Sequence, residues 1–224
     1  SGSLNCITNT VQTIASTTTT PVSYNWSGPG IVSGATTASA TVNTGGTYNY
    51  TVTNTTNNCT ATGSVAVVQN TTAPAPSINP TPTITCLNQS VVLTGNPSTG
   101  VTYTWSGPGI VGSTNNSTVT VNQIGTYSLF VTNPANSCTN VISASVTNNT
   151  IAPITTSVAT QTITCATPSV QLIGSANPSS CTVVWTGGVC GGATSYTATA
   201  CSAGNYTYVA TNPANGCSSA AQVA

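Results

Sequence analysis

GTYNYTVTNTTNNC (46–59), GTYSLFVTNPANSC (125–138) and GNYTYVATNPANGC (204–217) are three versions of one segment. Each places a tyrosine (Tyr48, Tyr127, Tyr206) 11 residues before a cysteine (Cys59, Cys138, Cys217), with apolar and polar residues alternating after the tyrosine. A period of two marks a strand with one buried face, whereas a helix needs 3.6. Outward from this segment the register persists. Cys6, Cys86 and Cys165 lie 80 and 79 residues apart, and Trp26, Trp105 and Trp185 lie 79 and 80 apart. Four anchors aligned in three copies establish a tandem repeat.

Composition sets the boundaries. Residues 69–83 read QNTTAPAPSINPTPT, where proline fixes φ and removes backbone donors, so an extended connector is expected. Residues 147–162, TNNTIAPITTSVATQT, form a second connector. The division is 1–70 for the first repeat, 71–83 for a Pro/Thr-rich linker and 84–148 for the second repeat. Residues 149–162 follow as a linker or edge strand, then 163–224 as the third repeat. Short linkers predict a rod with restricted bending. Inside the second repeat, Val91 and Leu93, then Val101, Tyr103 and Trp105, then Val119 and Val121, alternate with polar or smaller neighbours. Tyr127, Leu129 and Val131 form a fourth run, and Val141 begins a fifth. Gly107-Pro108-Gly109 and Asn133-Pro134 are turn signals between runs. Short antiparallel strands with one apolar face predict an all-β chain of two-sheet sandwiches.

The 224 residues include no Lys, Arg, Asp, Glu or His. Ordinary chains are about 25% charged. Without cations, phosphate neutralisation is lost, so no nucleic-acid partner is expected. Without carboxylates or imidazoles, the usual acid–base pairs, triads and zinc or calcium sites are missing, so no catalytic residue, metal or cofactor is expected. A hydrophobic fraction of 38% argues against a disordered chain. No apolar stretch reaches the length of a membrane span, so no membrane insertion is expected. Copies of such a chain meet no charge repulsion, and sheet edges can template further strands. Other copies of itself are therefore the expected partners. Asn-x-Ser/Thr sequons such as Asn49 and Asn205 offer glycan acceptors.

Trp26, Trp105 and Trp185 fall on alternating strands and are expected as core anchors; the competing role is an exposed platform for a sugar or partner. Tyr48, Tyr127 and Tyr206 each begin a strand and are expected to tie their hydroxyls to nearby backbone, as in a tyrosine corner. The spacings of 53, 52 and 52 residues suggest Cys6–Cys59, Cys86–Cys138 and Cys165–Cys217 disulfides within each repeat. No Cys-x-x-Cys motif favours metal instead. The third repeat adds Cys181, Cys190 and Cys201 at the places of Val101, Ile110 and Asn122. Either two of these pair and one is free, or one bridges to another chain; loop-end positions suggest Cys190 with Cys201. A disulfide-rich chain implies an oxidising, secreted or cell-surface setting, and a leader already removed. Ala224 falls inside the last predicted strand, which is compatible with a longer natural chain.

ITC (84–86), SVVLTG (90–95), YTWSGPG (103–109) and GTYSLFVTNPANSC (125–138), with TC, VWTGG and GNYTYVATNPANGC in the third repeat, resemble a known pattern. They are similar to the immunoglobulin-like and PKD-like repeats of large secreted surface proteins from Bacteroidota-type bacteria. The resemblance implies a tandem array of three immunoglobulin-like antiparallel β-sandwich domains and a modular, secreted protein. Such repeats serve as spacers, adhesins and appendage subunits. The missing charge favours a non-catalytic subunit of a self-assembling extracellular filament or sheath. The alternative is a stalk or ligand-binding segment of a large adhesin, with surface glycans or a cell-surface anchor as partners.

Overall fold

The computed structural model describes residues 2–80 and 82–224; Thr81, inside the expected linker, and Ser1 lie outside the described residues. The first repeat contains β1 (Ser3–Leu4), β2 (Val11–Ile14), β3 (Val22–Ser27), β4 (Ile31–Ser33), β5 (Ser39–Val42), β6 (Gly46–Asn54) and β7 (Thr60–Gln69). The second contains β8 (Ser77–Asn79), β9 (Thr83–Thr85), β10 (Val91–Asn96), β11 (Thr102–Ser106), β12 (Ile110–Val111), β13 (Thr118–Val121), β14 (Gly125–Asn133) and β15 (Cys138–Asn149). The third contains β16 (Ile154–Ala159), β17 (Val170–Asn177), β18 (Thr182–Thr186), β19 (Thr197–Ala200), β20 (Tyr206–Thr211) and β21 (Ser218–Val223).

Each repeat folds into two sheets. In the second, one sheet runs β12-β13-β10-β8 and the other β11-β14-β15-β9. Apart from β9, this is the strand order of an immunoglobulin sandwich, with A, B, E and D on one side and C, F and G on the other. The chain is a tandem array of immunoglobulin-like antiparallel β-sandwiches. Segment 71–83 supplies one edge strand and leads into a second: β8 joins the first sheet antiparallel to β10, and β9, which begins at Thr83, crosses to the other sheet and runs parallel to β15. Segment 149–162 supplies β16, antiparallel to β17. The first repeat has the same parallel pair, with Ser3 opposite Val68 and Leu4 opposite Gln69.

Alternation places Tyr127, Leu129 and Val131 of β14 inward, while Phe130 faces out. Each repeat has its own buried cluster, with Trp26, Trp105 and Trp185 at 4%, 2% and 2% exposure. None of the three rings is therefore a surface platform. Each indole donates across the sandwich to a carbonyl: Trp26 to Thr37 at 2.9 Å, Trp105 to Asn116 at 2.9 Å and Trp185 to Ser195 at 3.0 Å. That bond satisfies the one polar atom of a ring whose burial drives the packing.

Tyr48, Tyr127 and Tyr206 are also buried and donate four residues back, to Thr44, Gln123 and Ser202 at 2.5, 2.6 and 2.5 Å. The ring of Tyr127 lies against Gly107, whose φ is +154°; a Cβ there would come within 2.4 Å of the ring. Gly28 meets Tyr48 in the same way at 2.6 Å. The glycine two residues after the tryptophan thus makes room for the corner tyrosine.

Candidate functional site: the cross-linked joints

The structure brings the cysteines together in a different pattern from the one their spacing suggests. The bridges are Cys6–Cys138 and Cys86–Cys217, each between the first cysteine of one repeat and the second cysteine of the next. Cys59 and Cys165, expected to pair with Cys6 and Cys217, are free thiols. The reason lies in strand direction. The parallel pair β1–β7 holds the approach to Cys6 against the far end of β7, while Cys59 immediately precedes the near end. Strand β7 has 10 residues. At about 3.3 Å per residue its ends are roughly 30 Å apart, whereas bridged Cα atoms lie within about 7 Å. An in-repeat bridge cannot span that length. The first cysteine instead reaches the β14–β15 turn of the following repeat, where Cα atoms of Cys6 and Cys138 are 5.0 Å apart.

Both joints are built by the same local sequence. In Asn133-Pro134-Ala135-Asn136-Ser137-Cys138, Asn133 Oδ1 accepts from the Ala135 amide at 2.9 Å, and Ser137 takes a positive φ of 57°. The turn delivers Asn136 to the joint. Its Oδ1 accepts from the Cys138 amide at 3.0 Å, fixing the cysteine. Its Nδ2 donates to Asn70 Oδ1 and to the Thr72 carbonyl, both at 2.9 Å, in the preceding repeat and its connector. The Asn136 carbonyl accepts from the Cys6 amide at 3.2 Å. Asn136 is 1% exposed and Cys138 is fully buried.

The second joint repeats the side-chain bonds residue for residue and shifts one backbone bond by a position, from the bridged cysteine to the residue after it. Asn215 Oδ1 accepts from the Cys217 amide at 2.9 Å, and its Nδ2 donates to Asn149 Oδ1 and the Ile151 carbonyl, both at 3.0 Å. The Asn215 carbonyl accepts from the Leu87 amide at 3.3 Å. At Gly216, φ +70°, a Cβ would come within 2.7 Å of Leu87 Cβ, so glycine allows the close approach. Asn136 and Asn215 were not singled out by sequence reasoning. The signal was present: NPANSC and NPANGC hold the asparagine two places before the cysteine. A buried carboxamide with its donors and acceptor engaged is favourable, and one left unpaired is costly.

Each inter-repeat bridge closes a long loop, with separations of 132 and 131 residues. On the chain-entropy model such a closure is worth about 5 kcal/mol. The joints hold consecutive sandwiches in contact. Among the described residues no group of three His, Cys, Asp or Glu is placed to hold a metal, and no helix is long and apolar enough to cross a membrane.

In the third repeat, Cys190 and Cys201 form a local bridge and Cys181 is a buried free thiol. Cys181 lies near Tyr208, whose ring is fully buried and whose hydroxyl has no hydrogen-bond partner among the described residues. Burial, with smaller contributions from Tyr196 and Cys181, pushes the Tyr208 phenol up to about 12. Burial also raises Tyr48 and Tyr127, partly offset by their bonds to Thr44 and Gln123.

No protein-family model matches the chain. No curated protein matches it either. Solved structures match along its length. The three N-terminal domains of the outer capsid protein Hoc of bacteriophage RB49 are 13% identical, with 99% of this chain and 92% of that chain covered and a TM-score of 0.38. Sidekick-1 immunoglobulin domains 1–5 are 12% identical over 99% of this chain and 56% of theirs, at a TM-score of 0.34. Drosophila N-cadherin EC1–4 is 10% identical over 94% and 68%, at 0.35. The immunoglobulin-like order itself rests on the strand topology and register described above.

Proposed function

We propose that this chain is a non-catalytic structural subunit of a self-assembling extracellular filament or sheath. The observation that carries the reading is the repeated joint: two successive contacts, each closed by a disulfide and the same buried asparagine. A joint so fastened keeps neighbouring domains together under load, which a stalk or fibre needs and a small-ligand binder does not. The disulfides suit an oxidising setting outside the cytoplasm. Lateral contact between copies meets no ionic opposition on a surface without charged side chains. It is favoured further by apolar outward pairs, Phe130 opposite Val141 and Val184 opposite Val209. The second reading, a segment of an adhesin stalk, draws on the same fastened joints but needs no lateral contact.

The test is electron microscopy and sedimentation of thiol-blocked protein at low salt. Regular filaments or laterally packed arrays are the expected result. Single rods that stay monomeric at high concentration overturn the filament reading and leave the stalk.

A further inference from the structure

The bridges skip forward by one repeat, and this leaves a complementary remainder. The first cysteines of repeats one and two are used, as are the second cysteines of repeats two and three. What is left is Cys59, the second cysteine of repeat one, and Cys165, the first cysteine of repeat three. Asn57 stands two places before Cys59, as Asn136 and Asn215 stand before their cysteines. Its Oδ1 already accepts from the Cys59 amide at 3.0 Å, the same bond that orients the cysteine in both closed joints. Asn58 takes a φ of 58°, matching 57° at Ser137 and 70° at Gly216. The turn is therefore already set in its joint conformation. Only its cover is missing: Asn57 and Cys59 are exposed, whereas Asn136, Cys138, Asn215 and Cys217 are buried. Beside Cys59 lies an open groove of about 320 Å³ whose walls include Val22, Tyr50 and Val52.

We propose that Cys59 and Cys165 are the two halves of a third joint, closed between two copies of this chain joined head to tail. Cys165 of one copy takes the part that Cys6 and Cys86 take inside the chain, and Asn57-Asn58-Cys59 of the next copy takes the part of Asn136-Ser137-Cys138. The oxidant is a low-molecular-weight disulfide. One thiolate attacks it to give a mixed disulfide and one small thiol. The second protein thiolate then displaces the other small thiol and forms the Cys59–Cys165 bond. Two protein thiols are oxidised, one small disulfide is reduced to two thiols, and two protons pass from the protein thiols to the products. This deepens the assembly reading and rests on it for its setting. Its failure is separable, because the microscopy above uses blocked thiols and the test here uses free ones.

The experiment incubates the purified chain with oxidised glutathione and reads non-reducing gels. The expected result is a ladder of multiples of the monomer, collapsed by reductant. Both thiols are exposed and unbridged, so Cys59→Ser and Cys165→Ser leave the folded core untouched. Each variant alone is expected to stay monomeric, and an equimolar mixture is expected to stop at the dimer. Chymotryptic peptides from that dimer should carry Cys165 of the Cys59→Ser chain linked to Cys59 of the Cys165→Ser chain. Dimers of either variant alone, a monomer with an internal Cys59–Cys165 bond, or a wild-type chain that stays monomeric would each overturn the proposal.

Discussion

The second and third repeats share a frame and differ in what fills it. Val119, Val121 and Val131 in the second correspond to Ala198, Ala200 and Ala210 in the third, and all six are buried. Each exchange removes two carbons, worth about 0.8 kcal/mol apiece when buried. The third repeat places an aromatic ring where the second has Leu129: Tyr208 packs on Trp185 with centroids 4.9 Å apart, and Tyr196 lies 6.4 Å from Tyr208. Both side chains fill the space in front of a glycine: a Cβ at Gly174 on β17 would come within 2.4 Å of Tyr208, and one at Gly95 on β10 within 2.5 Å of Leu129. The third repeat also adds a bridge that the second lacks. Both sandwiches bury a tryptophan and a corner tyrosine; the second adds aliphatic volume around them, and the third adds a further ring and a local cross-link.

Removing that cross-link should separate the two repeats most. Cys190 and Cys201 are 11 residues apart and bind the stretch after β18 to the end of β19. On the chain-entropy model the closure contributes about 3 kcal/mol. The Cys190→Ser/Cys201→Ser double variant should lose about that much stability in the third repeat and nothing in the second. Denaturant-dependent hydrogen exchange, read repeat by repeat, checks this. Equal losses in both repeats would break the contrast.

Alkali should sharpen the same contrast. In the unfolded chain a tyrosine titrates near 10, whereas the Tyr208 phenol is pushed up to about 12 in the fold. Between these values the unfolded state releases a proton that the folded state keeps, so stability falls as pH rises. The contribution is whole below pH 10 and is lost progressively from 10 to 12. The second repeat has Leu129 at this place, and its raised Tyr127 gives a decline of the same sign. Urea unfolding followed by the fluorescence of single-tryptophan variants should show the third repeat weakening more steeply with pH. With no carboxylate side chains, neither repeat should show the usual acid loss from side-chain carboxylates.

Much of this frame was legible in the residues. Period-two alternation, the tryptophan on an alternating strand and the glycine-spaced corner tyrosine all act locally, so spacing alone places them. The bridges were not legible in that way. A separation of 52 or 53 residues suits an in-repeat staple until the direction of β1 and β9 is known, and these strands have only 2 and 3 residues. Their parallel pairing moves the first cysteine to the opposite pole of its sandwich. The partner is then set by how the next repeat abuts, a long-range property that no single repeat encodes. Asn136 was passed over for a related reason: its value comes from Asn70 and Thr72, 66 and 64 residues away.

The smallest contrast lies in the corners. Tyr127 has two carbonyls within reach of its hydroxyl, Pro108 at 2.5 Å and Gln123 at 2.6 Å. Tyr206 has the Ser202 carbonyl at 2.5 Å, with the Ser202 hydroxyl farther off at 3.4 Å. A phenylalanine keeps the ring and its packing but strands whichever carbonyls the hydroxyl served. A typical hydrogen bond contributes about 1 kcal/mol net, and a buried acceptor left without a donor adds to the cost. Tyr206→Phe should therefore destabilise the third repeat by about 1 kcal/mol, and Tyr127→Phe the second by somewhat more. Urea midpoints measured at neutral pH order the two variants. Equal costs would mean that Pro108 gains nothing from the hydroxyl, so that the corner acts through the Gln123 carbonyl alone, and the reverse order would break the contrast.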